Sequence, residues 1–154
     1  MAESPAGIEI LQRESAAGHR PSLIEVQVVK VLVDSSTWID YLRGTGDSSG
    51  LDWLIEEGSI VTNELILAEL TPPLLVRGKN KLVDILWNIE RIRLTLDWDA
   101  IIHMQVTCLR NGINKVGIPD LIIAHHAIQH DLSLLTSDKH FTLIAKHVPL
   151  LLHY

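Results

Sequence analysis

From residue 28 to the last residue, short unbroken apolar runs alternate with longer stretches whose apolar residues recur at helical spacing. The run "VVKVLV" has the length and continuity of a parallel strand covered on both faces, and it leads straight into Asp34 with no basic residue beside it. Ser35 or Ser36 can cap the helix that follows, and Gly44 can end it. Beyond the polar loop "GTGDSSG", the stretch "LDWLIEEG" predicts an amphipathic helix ended by Gly58, and "SIVTN" a short strand. "ELILAELTPP" predicts a helix broken by Pro72 and Pro73. "GKNKLVDILWNIERI" places Leu82, Val83, Ile85, Leu86 and Ile89 on one broad helical face. "RLTLD" reads as a strand, and Asp99 as the cap of a helix through "AIIHMQVTCLRNG". "PDLIIAHHAIQHDL" (helix), "SLLTS" (strand), "HFTLIAKHV" (helix) and "PLLLHY" (strand) complete the pattern.

Strands alternating with helices predict an α/β fold, a mostly parallel sheet with helices on both faces. Residues 1–27 show no sustained period and mix Gly, Pro, Ser and Glu. They read as a partly disordered extension with one short helix around Ile8 to Arg13, either a partner-contacting arm or a dispensable tail. Residues 28–154 form the folded domain. A length of 154 residues at 47% hydrophobic content supports one such domain. The single Cys108 rules out an internal disulfide and favours a reducing, cytoplasmic setting. No apolar run approaches the roughly 18 residues of a membrane span, and no signal pattern opens the chain, so a soluble protein is expected.

Charge narrows the chemistry. With 19 acidic against 13 basic residues the formal net charge is -6, which argues against nucleic-acid binding by a broad basic surface. It leaves room for an acidic cleft that holds cations. In open parallel sheets ligands bind at the carboxyl ends of the strands. Asp34 follows "VKVLV" and Asp138 follows "SLLTS". Asp120 begins a helix whose Leu121, Ala124, Ala127 and Ile128 form the apolar face, and it lies at the edge of that face. Glu69 is embedded in "LILAEL". Burying unpaired charge costs several kcal/mol per ion, so such a set either protonates or holds cations. Carboxylate oxygens suit Mg²⁺ or Mn²⁺. One or two such ions bind a phosphodiester, acidify a water and stabilise the leaving oxygen. Taken singly, each acid also has a structural explanation: a cap for Asp34 and Asp138, a first-turn acid for Asp120, a surface pair for Glu69.

The segments "VLVDSSTWIDYLRG", "LILAEL" and "GIPDLIIAHHAIQHDLSLLTSDKHF", in that order, resemble the motifs of PIN-domain ribonucleases, in particular the VapC toxins of toxin–antitoxin systems, over about residues 29 to 154. The resemblance implies a three-layer α/β/α sandwich and an Mg²⁺- or Mn²⁺-dependent endoribonuclease. It places the family's acids on Asp34, Glu69, Asp120 and Asp138, with Glu64 as an alternative to Glu69. It puts a supporting hydroxyl on Thr136 or Ser137, and Ser36 can serve the same end near Asp34. It also implies a homodimer and a cognate VapB-like antitoxin whose tail covers the site. The long N-terminal extension and the prolines after Glu69 depart from the family's pattern. Arg43, Arg77, Lys79, Lys81, Arg110, Lys115 and Lys139 are the candidate RNA contacts, and Arg43 and Lys139, which lie near motif acids, are the favoured ones.

His126 and His130 have the i,i+4 spacing of a metal pair, but the helical wheel assigns both to a solvated surface. Asp97 is a lesser candidate for the site. Trp53 and Trp87 suit interface anchors or core positions. The competing functions are an aspartyl-nucleophile phosphatase, which needs a second acid where Ser36 stands, and a catalytically silent, receiver-like acidic binding module.

Overall fold

Three consecutive aliphatic residues form β1 (Val31–Val33), and all three are buried. Successive side chains of a strand point to opposite faces, so complete burial means that the sheet is covered on both. The computed structural model describes residues 29–47 and 49–154. The extension expected over residues 1–27, with its short helix, lies outside them. After β1 come α1 (Ser35–Arg43), α2 (Ser49–Glu56), β2 (Ile60–Val61), α3 (Glu64–Val76), α4 (Asn80–Trp87), α5 (Trp98–Arg110), α6 (Ile118–Gln129), β3 (Ser133–Leu135), α7 (His140–Ile144) and β4 (Leu151–Leu152). No described helix is long and apolar enough to cross a membrane.

The sheet order is β2-β1-β3-β4 and every neighbouring pair is parallel. This is the α/β/α arrangement that the strand–helix alternation predicts. Register matters most between the two central strands. Val31 pairs with Ser133 and Val33 with Leu135, so β1 and β3 end level and the residues after them, Asp34 and Thr136, emerge side by side. The core gathers β1, Trp38, Leu51, Leu54, Ile66, Leu70, Ile101, Leu121, Ala124, Leu134, Phe141 and Ile144 around these strands. Gly44 closes α1 at φ 68°, a left-handed turn that a residue without a side chain adopts freely.

Several expectations are corrected. The helix containing Pro72 and Pro73 does not break there but continues to Val76. Both prolines are exposed, so the carbonyls one turn back that lose their donors can turn to water. "RLTLD" forms no strand. A lone bridge joins Thr62 to Arg91, and the Leu94 N–H goes instead to Glu64 Oε2 at 2.9 Å. Asp97, not Asp99, caps α5 by accepting from the Ala100 N–H at 3.1 Å. Ile85 is 60% exposed rather than part of α4's buried face.

Candidate active site

Asp34 occupies the N-cap position of α1, yet its side chain caps nothing. Its backbone N–H donates to Leu135 O at 2.9 Å, and its carbonyl accepts from Thr37 and Trp38, so backbone bonds alone start the helix. The carboxylate is thereby released for other work. Its Oδ2 accepts from Ser36 Oγ at 2.6 Å and from Thr136 Oγ1 at 3.0 Å. Its Oδ1 has no partner among the described residues, and the residue is 4% exposed. Thus Ser36 and Thr136 both reach the acid they were expected to support. Ser137 contributes through its backbone N–H, which donates to Ser36 Oγ at 3.1 Å.

The loop after β3 carries the second acid. Thr136 Oγ1 accepts from the Asp138 N–H at 3.0 Å, so one hydroxyl bridges Asp34 to the backbone of Asp138. Asp138 Oδ1 accepts from the His140 N–H at 2.9 Å and meets His140 Nδ1 at 2.7 Å. The backbone bond is an Asx-type turn that leads into α7. Sequence reasoning missed His140. The two-residue spacing from Asp138, which suits an Asx turn followed by a ring, is the signal that could have found it.

Asp120 stands at the third position of α6, behind Pro119, and its Oδ2 accepts from the Gly117 N–H at 3.3 Å. The first-turn role open to it is therefore real. Glu69 projects from α3 and its Oε2 accepts from Ser35 Oγ, a second contact that sequence reasoning did not assign. Ser35 so ties the start of α1 to α3.

Glu69 and Asp120 sense the neighbouring acids. Burial raises the Glu69 pKa, the Ser35 bond opposes that, and the charges of Asp34 and Asp120 raise it further. Burial also raises the Asp120 pKa; the Gly117 bond opposes it, Asp138 and Asp34 add to it, and His140 offsets part. Loss of hydration and like charge both disfavour the ionised form. Among the described residues, no three His, Cys, Asp or Glu side chains converge closely enough to cage a metal ion as they stand. The donor set is nevertheless all carboxylate and hydroxyl oxygen, with no Lys or Arg paired to any of the four acids among the described residues.

Arg43 is exposed at the end of α1. It lines a cavity of about 320 Å³ together with Ile39, Glu69, Leu70, Pro73 and Arg77. Lys139 is exposed beside Asp138. Glu64 is committed to the Leu94 N–H. Trp53 and Trp87, at 57% and 52% exposure, are not core residues.

His126 overturns the surface assignment: it is wholly buried, while His130 is exposed. The wheel argument failed because α6 is buried on more than one side, at Leu121, Ile123, Ala124, His126 and Ala127. Asn63 Oδ1 accepts from the Ile66 N–H at 2.9 Å, capping α3, which fixes the amide so that its Nδ2 donates to His126 Nδ1 at 2.8 Å. The proton therefore sits on Nε2, which has no hydrogen-bond partner. Burial, then His130, lowers the His126 pKa to about 4; Glu64 and the nearby Arg93 backbone act the other way. One buried pair thus links the helix carrying Glu69 to the helix carrying Asp120.

A sequence profile described as PIN domain matches residues 31–147. No curated protein matches the sequence significantly. Among solved structures, VapBC2 from Rickettsia felis bound to a DNA fragment from their promoter is similar at 20% identity and a TM-score of 0.66, over 81% of this chain and 98% of that one. DNA-bound VapBC from Salmonella typhimurium is similar at 16% identity and a TM-score of 0.65, over 81% and 97%. VapC20 from Mycobacterium tuberculosis, a sarcin-ricin loop cleaving toxin, is similar at 14% identity and a TM-score of 0.54, over 79% and 98%. At these identities the likeness is one of fold.

Proposed function

The chain belongs to the PIN domain family, whose profile spans residues 31–147, and on that premise we propose that it is a metal-dependent endoribonuclease, the toxin of a VapBC-type toxin–antitoxin pair. The observation that carries this reading is Asp34: a buried carboxylate at a strand end, one oxygen fixed by two hydroxyls and the other without a partner. Ser36 stands two residues on, where an aspartyl-nucleophile phosphatase needs its second acid, and it is occupied in holding Asp34. A nuclease reading is favoured accordingly.

In this reading Asp34, Asp120 and Asp138 hold Mg²⁺ or Mn²⁺, with Glu69 as a further ligand. Unscreened carboxylates repel, and bound counter-charge is what would let them close together. When bound, such an ion supplies an acidified water and a counter-charge for the leaving oxygen. The chain's own residues do the positioning. Ser36 and Thr136 hold Asp34, the His140 ring and N–H orient Asp138, and Ser35 holds Glu69 over the same end of the sheet. Arg43 and Lys139 would meet RNA phosphates, supplying locally the positive charge that the whole chain lacks. The partners proposed are an RNA substrate, a VapB-like antitoxin that covers the acids, and a second copy of the chain, in the cytoplasm.

The test is cleavage of a mixed pool of structured RNAs by the purified protein in Mg²⁺, Mn²⁺ or EDTA, beside Asp34→Asn. Cuts that need the metal and vanish in the variant are expected. Cuts that survive EDTA or Asp34→Asn, or no cuts in either metal, would overturn the reading.

A further inference from the structure

The parallel register sets a third residue in line with Asp34 and Thr136. Val33 lies level with Leu135, and Leu134 with Leu152. Carried on by two residues, the same register brings Tyr154 level with Thr136 at the carboxyl end of the sheet. The ladder persists that far, since the His153 N–H donates to Leu134 O at 2.9 Å. Neighbouring strands lie about 4.8 Å apart, so Tyr154 stands one strand from Thr136 and two, about 10 Å, from Asp34. Beside this row opens a cavity of about 280 Å³, walled by Thr37, Leu51, Thr136, Ser137, His153 and Tyr154. Thr136 belongs to both places, because it lines the cavity and its hydroxyl donates to Asp34 at 3.0 Å.

The lining identifies the occupant. Tyr154 is 99% exposed, so its ring is open to a stacking partner, and His153 stands half-buried next to it. The exposed Ser137 hydroxyl meets Thr37 Oγ1 at 3.4 Å, and hydroxyls both donate and accept. Aromatic rings beside small hydroxyls suit a flat heteroaromatic ring, and stacking on Tyr or His is how unpaired RNA bases are gripped. A phosphate is opposed, because no Lys or Arg among the described residues lines the cavity and Asp47 does. A protein side chain is less well matched, since an apolar anchor leaves the hydroxyls unused. We propose that this cavity receives one unpaired nucleobase of the RNA, from a nucleotide near the bond to be cut, stacked on Tyr154. The inference rests on the nuclease reading and deepens it. Phosphate contacts such as those proposed for Arg43 and Lys139 fix the strand without sensing its bases, and Tyr154 is where a base is felt.

The test is binding of short, labelled single-stranded RNAs, one homopolymer of each base, to the full chain in Mg²⁺, read by fluorescence anisotropy. Asp34→Asn is present throughout so that the RNA stays whole. Tyr154→Ala should raise the Kd about fivefold to a hundredfold for at least one of the four, the loss of one stacked base. Tyr154→Phe keeps the ring and should stay within about twofold of the parent. Against a wholly abasic strand of the same length, Tyr154→Ala should change the Kd by less than about twofold, because the base it stacks on is already gone. The side chain is exposed, so these substitutions leave the core untouched, and circular dichroism checks it. RNA bound equally well with and without the ring would overturn the base pocket and leave the nuclease reading standing. So would an effect of the same size on the abasic strand, which would put the ring against the backbone. No binding to any of the four RNAs would overturn both. Binding that needs Tyr154, from a chain whose wild type cuts no RNA in either metal, would support the base pocket and overturn the proposed cleavage alone.

Discussion

Acidification from about pH 7 to about pH 4 is expected to cost the fold about 3 kcal/mol through a single side chain, His126. The ring is wholly buried, hydrogen-bonded as the neutral form to Asn63, and its pKa is lowered from 6.5 to about 4. In the unfolded chain it titrates near its ordinary value, so between these two pH values the unfolded state takes up a proton that the folded state refuses. A depressed folded-state pKa means stability present above pH 6.5 and lost as the pH falls towards 4, at about 1.4 kcal/mol per pH unit. Set against a typical total of about 5–15 kcal/mol, that is a large share. The assay is urea unfolding at a series of pH values for wild type and His126→Leu. The substitution deletes the titrating ring together with its unpartnered Nε2 but strands Asn63 Nδ2, so a change within about 2 kcal/mol is expected near neutrality. Its pH dependence should differ from that of wild type by about one proton over this interval. Parallel loss of stability in the two proteins would refute the argument, because the protons responsible would then lie elsewhere.

Three further outcomes follow from other contacts. Asn63→Ala removes both the α3 cap and the His126 partner at a fully buried position, and should destabilise by about 2–4 kcal/mol in denaturant titrations. Ser36→Ala or Thr136→Val alone should cost about 1–3 kcal/mol of stability. The pair together should cost more than their sum, because Asp34 Oδ2 then has no donor; a double-mutant cycle reads this directly. Raised pKa values at Glu69 and Asp120 mean that the metal-free protein is favoured while these groups are protonated, and that it loses stability as the pH rises through their elevated values. Adding Mg²⁺ should restore the loss in wild type and not in Asp120→Asn, as followed by Tm, if those carboxylates ligate the ion.

The strand-to-acid junctions were the most legible part of the chain. A continuous aliphatic run such as β1 allows little but a strand covered on both faces, and the residue after it must emerge at the sheet's carboxyl end. That logic put Asp34 and Asp138 at the carboxyl end of the sheet, where the structure has them, whereas Thr136 reads as part of the strand, which ends at Leu135, and is singled out only by the family resemblance. What was not legible was decided by tertiary contacts. The helix across Pro72 and Pro73 survives because both lie on its wet side. "RLTLD" has the alternation of a strand, but its Leu94 N–H is taken by a glutamate side chain. His126 looked solvated only because the wheel assumed one buried face for α6. Ser35 supports Glu69 between helices, a contact that neither periodicity nor local motif announces, whereas His140 was legible only in its two-residue spacing from Asp138.

The hydrogen bond from Thr136 to Asp34 spans 102 positions of sequence, and that separation has a consequence in time. Translation adds about 5–20 residues per second, so about 5–20 s pass between the making of Asp34 and the making of Thr136. Until β3 arrives, β1 lacks its central neighbour, and Asp34 has neither the Thr136 hydroxyl nor the Leu135 carbonyl that anchors its backbone. A nascent chain cannot assemble the site before β3 and the loop after it have been made. For an enzyme that would cut RNA, the topology itself postpones activity until β3 has joined the sheet.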